Sequence, residues 1–162
     1  MELENLTLEN YERHLPNILK SELLFPETIR LNQDQLLQIL RGDRPIAKMA
    51  FQDSEYLGNI LSFCSSERDI TSLDLRGVIP EPRTLYLYNL IIVPKFQGRD
   101  FGKVLFQDLV NTAKTKGYAT LEGHFRPNAS LHIIKSEGAE VISTHANWCN
   151  TGEDYVYCRL RF

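Results

Sequence analysis

The sequence predicts a mixed α/β domain, and three observations carry that expectation. Apolar residues alternate or run together at 45–51, 56–63 and 84–93, as they do in strands. They recur every three to four residues at 9–22 and 101–116, as on amphipathic helices. The resulting order, β, α, α, β, β, β, α, β, α, β, β, has too few βα units in series for a doubly wound nucleotide fold.

Residues 3–9 alternate loosely through Leu3, Leu6 and Leu8 and read as a first strand. A helix is expected over 9–22, with Tyr11, Leu15, Ile18 and Leu19 on its apolar side and Pro16 marking a kink or a start. Pro26 breaks the chain. Asn32 or Asp34 then caps a short helix through Leu36, Leu37, Ile39 and Leu40, ended by Gly42. Residues 45–51 and 56–63 form a hairpin about a turn at 52–55. The polar, Pro-containing stretch 65–83, with a short apolar patch at 73–79, reads as a long loop of the kind that is usually functional or mobile.

Residues 84–93 are nearly all apolar or aromatic, as in a strand buried on both faces, and Pro94 ends them. The helix after Asp100 buries a stripe of Val104, Leu105, Leu109, Val110 and Ala113 and stops at Gly117. Residues 118–125 form the next strand. Asn128 or Ser130 caps a helix that ends before Gly138, and 139–144 and 155–162 are the last two strands.

The chain has 162 residues, enough for one domain over 1–162. It is 43% hydrophobic and 24% charged with a net charge of −3, which gives no support to general nucleic-acid binding. No run of 18 apolar residues crosses a membrane, and the acidic, polar start is unlike a signal peptide. Three cysteines, Cys64, Cys149 and Cys158, match no metal spacing and suit reduced thiols in the cytoplasm.

The segment most informative about function is a strand that ends in the turn Gln97-Gly98-Arg99-Asp100-Phe101-Gly102 and opens into a helix. The first N–H groups of a helix lack partners within it, and its dipole adds partial positive charge, so this is a ready site for a phosphate. A dinucleotide fingerprint fails on glycine spacing and on the missing downstream acid. A P-loop fails because Gly98 and Gly102 are one residue too close and Val104 stands where Ser or Thr is needed.

Position by position, the turn resembles the acyl-CoA site of the GNAT superfamily of N-acyltransferases. Gln97 and Gly102 match the two ends of that family's turn motif, Pro94 precedes it by three residues, and Lys103 follows. Residues 88–102 are similar to the corresponding stretch of the ribosomal-protein N-terminal acetyltransferases. Asn128-Ala129-Ser130-Leu131, Lys135 to Gly138 and the final strand resemble later family motifs. The resemblance implies a central, mostly antiparallel, splayed sheet of about seven strands flanked by about four helices. It implies acetyl-CoA as co-substrate, held by Leu90, Ile91, Ile92, Gln97, Gly98, Arg99, Asp100, Phe101, Gly102, Lys103 and Asn128, with no metal.

By the same resemblance, the acyl group passes directly to a primary amine of a small molecule or a peptide N-terminus. Glu122 is the first candidate base. His124 shares its strand face, and Tyr86 lies near where other branches of the family place a base. The plainer reading makes Glu122 a solvated strand residue, His124 a packed one and Tyr86 part of an aromatic core or cleft wall. The family's general-acid Tyr is replaced by Ile134, a usual Phe by Ala139, and a usual Gly of the turn by Asp100, whose side chain either points away or caps the helix. His132 and His145 read as surface residues or caps. Around the acceptor, Glu22, Glu27, Glu67, Asp69 and Asp74 accompany Arg76 and Arg83. A non-catalytic acyl-CoA-binding or regulatory module on the same scaffold is the alternative, and a homodimer stays open.

Overall fold

Seven strands form one sheet in the computed structural model of the chain, which describes residues 1–66, 70, 71, 73 and 76–162. In chain order the strands are β1 (Glu2–Asn5), β2 (Ile46–Gln52), β3 (Glu55–Cys64), β4 (Thr84–Ile92), β5 (Thr120–Phe125), β6 (Glu140–His145) and β7 (Tyr155–Arg161). They lie in the order β1-β2-β3-β4-β5-β7-β6. Every neighbouring pair is antiparallel except β4 and β5. A parallel pair needs a crossover. The helix between β4 and β5 supplies it.

Four helices flank the sheet among the described residues: α1 (Tyr11–Glu22), α2 (Gln33–Leu40), α3 (Phe101–Thr115) and α4 (Ala129–Ser136). Each face of the sheet has its own core. Leu85, Leu87, Leu121 and Phe125 pack with Leu105, Phe106, Leu109 and Ile134 on the α3/α4 face. Ile18, Leu36, Ile39, Leu61, Phe63, Tyr86 and Tyr157 pack on the α1/α2 face. No helix of the described residues is long and apolar enough to cross a membrane.

Several local expectations change. The first strand is shorter, because Leu6 turns into the core and Asn10 closes a turn by accepting from the Thr7 N–H, so α1 starts at Tyr11. Pro16 lies inside α1. Leu19 is exposed, and it is His14 that is buried, 3.3 Å from Glu4. Val104 is 46% exposed, and Phe106 takes its place in the α3 stripe. Asn32 caps α2 with a full capping box, as its sequence allows. The stretch 65–83 is described only in part: Ile70 and Leu73 are buried, while Glu67, Asp69 and Asp74 lie outside the described residues.

Where β3 meets β4, the backbones approach too closely for a side chain. A Cβ on Gly58 would sit 1.9 Å from the Ile91 carbonyl oxygen. Gly58→Ala is therefore expected to lower stability by about 1–3 kcal/mol, the range for forced overpacking. A urea titration of the variant checks this, and an unchanged midpoint would contradict it.

Candidate functional site

The site begins with a break in sheet pairing. β4 pairs with β5 only from Thr84↔Thr120 to Leu87↔Gly123. On its other side, the register with β3 slips between Leu61↔Asn89 and Ser62↔Leu87, so Tyr88 is an extra residue, a β-bulge. A bulge bends its strand and increases the local twist. Pairing with β5 stops at the bulge, and residues 88–92 have no partner on β5. The bulge also puts two consecutive side chains, Tyr88 and Asn89, toward the α1/α2 face, while Leu90 and Ile92 pack toward α3 and α4.

The open stretch of β4 leads into the turn. The backbone N–H groups of Gly98, Arg99, Asp100, Phe101, Gly102 and Lys103 donate to no acceptor among the described residues. Gln97 holds the turn against β4, its Nε2 donating to the Ile92 carbonyl at 2.7 Å. Buried Phe96 packs edge-on against Phe101. Gly98 has φ +75, the left-handed region where glycine is favoured. Gly102 faces the tips of Ile92 and Ile133, which a Cβ would meet at 3.6 and 3.4 Å. Arg99 and Lys103 form no ion pair among the described residues. Asp100 also has a left-handed backbone, φ +60, and precedes α3 without capping it through its side chain. Asn128 caps α4, its Oδ1 accepting from the Ser130 N–H at 3.0 Å, which leaves its amide nitrogen free to donate.

On the opposite face, the bulged part of β4 floors a cavity of about 310 Å³. Its walls come from the end of α1, the segment 25–30, Gln35, Leu73, Arg76 and the 148–150 segment before β7. Asn147, Cys149 and Asn150 all have left-handed backbones there, an unusual density for residues other than glycine. Arg126 ties the two walls, donating to the Leu24 carbonyl at 2.9 Å and lying 3.5 Å from Glu153.

Among the described residues, one carboxylate lies in this cavity, and it is Glu22, 2% exposed. One oxygen accepts from the Leu31 N–H at 2.7 Å and the other from Asn89 Nδ2 at 2.6 Å. Asn89 is held in turn by Asn59 Nδ2 at 2.9 Å, and Asn59 by the hydroxyls of Tyr56 and Ser21. Burial pushes the Glu22 carboxyl up to about 7 against these hydrogen bonds. Sequence reasoning placed Glu22 near the acceptor but gave it no chemical role. The signal available was its place at the end of an amphipathic helix, which does not show the burial.

No family model matches the chain, and no curated protein matches it closely enough to count. Solved structures do. One similar structure is the ribosomal-protein-S18-alanine N-acetyltransferase from Escherichia coli. It has a TM-score of 0.72 at 16% identity, over 99% of this chain and 92% of that one. A GNAT family acetyltransferase from Elizabethkingia anophelis with acetyl-CoA bound has a TM-score of 0.67 at 16% identity, covering 99% and 97%. A GNAT-like decarboxylase in complex with isobutyryl-CoA has a TM-score of 0.70 at 14% identity, covering 99% of each chain. The chain has the GNAT fold. At these identities the likeness speaks for architecture.

Within that fold, the three residues first considered for catalysis form a packed group on the α1/α2 face. Glu122 is fully buried and already engaged, accepting from the Tyr157 hydroxyl and from Arg159 Nε. Arg159 also reaches Glu81 at 3.1 Å. His124 is stacked between Trp148 and Tyr157, with centroids 4.2 and 4.6 Å away. Burial and nearby His145 push its pKa down to about 3, so it is neutral near pH 7. Its Nδ1 is 3.0 Å from the Tyr86 hydroxyl, and its buried Nε2 has no partner among the described residues. Burial raises the Tyr86 pKa well above its ordinary value, so this hydroxyl keeps its proton. Of the three, Tyr86 lines the cavity. His145 is half-buried and joins the same aromatic group, 4.9 Å from His124. Ile134 is fully buried in the α3/α4 core and presents no polar group.

Glu122→Ala leaves the Arg159 guanidinium, 14% exposed, with Glu81 alone. Loss of one partner of a buried pair costs about 3–5 kcal/mol. The variant is expected to unfold at clearly lower urea, and wild-type stability would show that the pair does not hold the sheet.

Proposed function

We propose that the chain is an acyl-CoA-dependent N-acyltransferase that passes an acetyl group from acetyl-CoA to a primary amine in a ternary complex. The observation that carries this reading is the run of six uncommitted N–H groups, Gly98 to Lys103, at the end of a strand edge that has lost its neighbour. A pyrophosphate needs several donors at once, and the dipole of α3 adds to them. Arg99 and Lys103 supply charge. Residues Leu90, Ile91 and Ile92 offer backbone for an extended pantetheine arm, and Asn128 Nδ2 offers a donor beside it. The similar structures bound to acetyl-CoA and isobutyryl-CoA support the choice of ligand.

The acceptor is placed in the cavity on the α1/α2 face, whose floor is the part of β4 where β5 departs. Glu22 takes the proton from the ammonium so that nitrogen attacks the thioester carbonyl, forming the C–N bond as the C–S bond breaks. Each Glu22 oxygen accepts one protein hydrogen bond and retains a further lone pair. A carboxyl near pKa 7 is matched to that task, and a positioned base contributes roughly 10²–10⁴-fold. Tyr86, kept protonated and oriented by His124, is the hydroxyl nearest to replacing the acid absent at Ile134. Glu122 is assigned to holding β5 and β7 together. A binding module without catalysis is the second reading, favoured by the Asp100 carboxylate in the phosphate-facing turn.

Acetyl-CoA at about 100 times its dissociation constant is expected to stabilise the protein by about 2.7 kcal/mol. An unmoved melting curve removes both readings. Release of CoA thiol should rise as pH increases through about 7, because Glu22 acts only when deprotonated, and Glu22→Gln should abolish that inflection while CoA still binds. A wild-type pH profile in the variant excludes Glu22 as base. Asp100→Gly removes a carboxylate that caps nothing and relieves a left-handed backbone, so CoA affinity measured by calorimetry should rise. A fall would show that the turn depends on Asp100.

A further inference from the structure

The acceptor cavity carries charge of both signs. Glu22 lies buried in it, and Arg30 and Arg76 line it as well. Neither guanidinium forms an ion pair among the described residues. Arg30 is held by its Nε, which donates to the Phe25 carbonyl at 2.9 Å; its two terminal nitrogens donate to no acceptor among the described residues, and its charge acts on Glu22 through space. The Arg76 backbone is fixed to the wall by Trp148, whose indole N–H donates to the Arg76 carbonyl at 2.9 Å. The volume, about 310 Å³, is at the small end of the range of roughly 300–1,000 Å³ seen for small-molecule sites.

A plain amine would satisfy Glu22 and leave unanswered the charges of half-buried Arg30 and exposed Arg76, both of which line the cavity. A polyamine would bring further positive charge against them, at a Coulombic cost. The terminus of a peptide brings an ammonium without an anion beside it. We infer that the acceptor is a small primary amine that carries its own anionic group, a carboxylate or a phosphate, with the amine at Glu22 and the anion between Arg30 and Arg76. Planar guanidinium groups match either anion by paired, charge-assisted hydrogen bonds. This inference rests on the proposed acyl-transfer reading for the amine end, and the anion end is testable without turnover.

The test is calorimetric titration of the full chain, with and without saturating CoA. One arm compares free α-amino acids with their carboxamides. A second compares phosphoethanolamine with ethanolamine, and spermidine and a short peptide serve as controls. The anionic member of at least one pair is expected to bind about tenfold or more tightly than its neutral partner. Arg30→Gln and Arg76→Gln should each erase that preference and leave CoA affinity unchanged. Whichever arm shows the preference identifies the anion. The inference is overturned if neither anionic partner binds, or if the neutral amines, spermidine or the peptide bind as tightly. Failure of CoA itself to bind would instead defeat the acyl-transfer reading, while the titrations without CoA still decide this one.

Discussion

One extra residue in β4 organises the molecule. Tyr88 is accommodated against β3 by a bulge, and from that point β4 and β5 diverge. Parallel strands normally continue side by side until a turn, so a sheet that opens part-way leaves unpaired backbone inside a folded protein. Such groups are costly to bury unless something pairs with them. The open edge, the six unpaired amides beyond it and the cavity on the other face are all arranged about the same few residues. The bulge therefore ends the pairing of β4 with β5 part-way along the strand. It also reverses side-chain parity, which sends Asn89 to the polar side and Leu90 to the apolar side.

Two buried polar systems keep that opening in shape. On one side Tyr56, Asn59 and Asn89 form a line of hydrogen bonds that ends on Glu22. On the other, Glu122 joins β5 to Tyr157 and Arg159 of β7. Charges and amides buried this deeply are tolerated because each finds partners. The two carboxylates differ in what remains available. Glu122 has hydroxyl and guanidinium donors and no exposure, whereas Glu22 accepts from two neutral donors at a cavity wall. That contrast lies in their partners and surroundings, not in position along a strand.

The fold was largely legible in the sequence because it depends on patterns that survive without context. Continuous apolar residues at 84–93, the capping residues Asn32 and Asn128, and the glycine after α3 all announced their elements. The turn was legible because Gln97 and Gly102 hold a fixed spacing. What could not be read was long-range. The bulge at Tyr88 depends on the register with β3, and the burial of Glu22 depends on Asn59 and Asn89, over 30 residues away. Val104 illustrates the helical version. Its spacing fits the apolar stripe, but the start of α3 rotates it outward and brings Phe106 in.

The burial of Glu22 also changes the proton inventory of folding. Its carboxyl holds a proton up to about pH 7 in the folded chain, whereas an exposed carboxyl releases it near 4.5. Between those values the native state binds the extra proton. Stability contributed by this group is therefore full below about pH 4.5 and declines as pH rises toward 7. At about 1.4 kcal/mol per pH unit, the loss is on the order of 3 kcal/mol. The protein is thus least favoured by Glu22 in the pH range where that carboxylate is ionised, and an ammonium brought against it would return part of the loss.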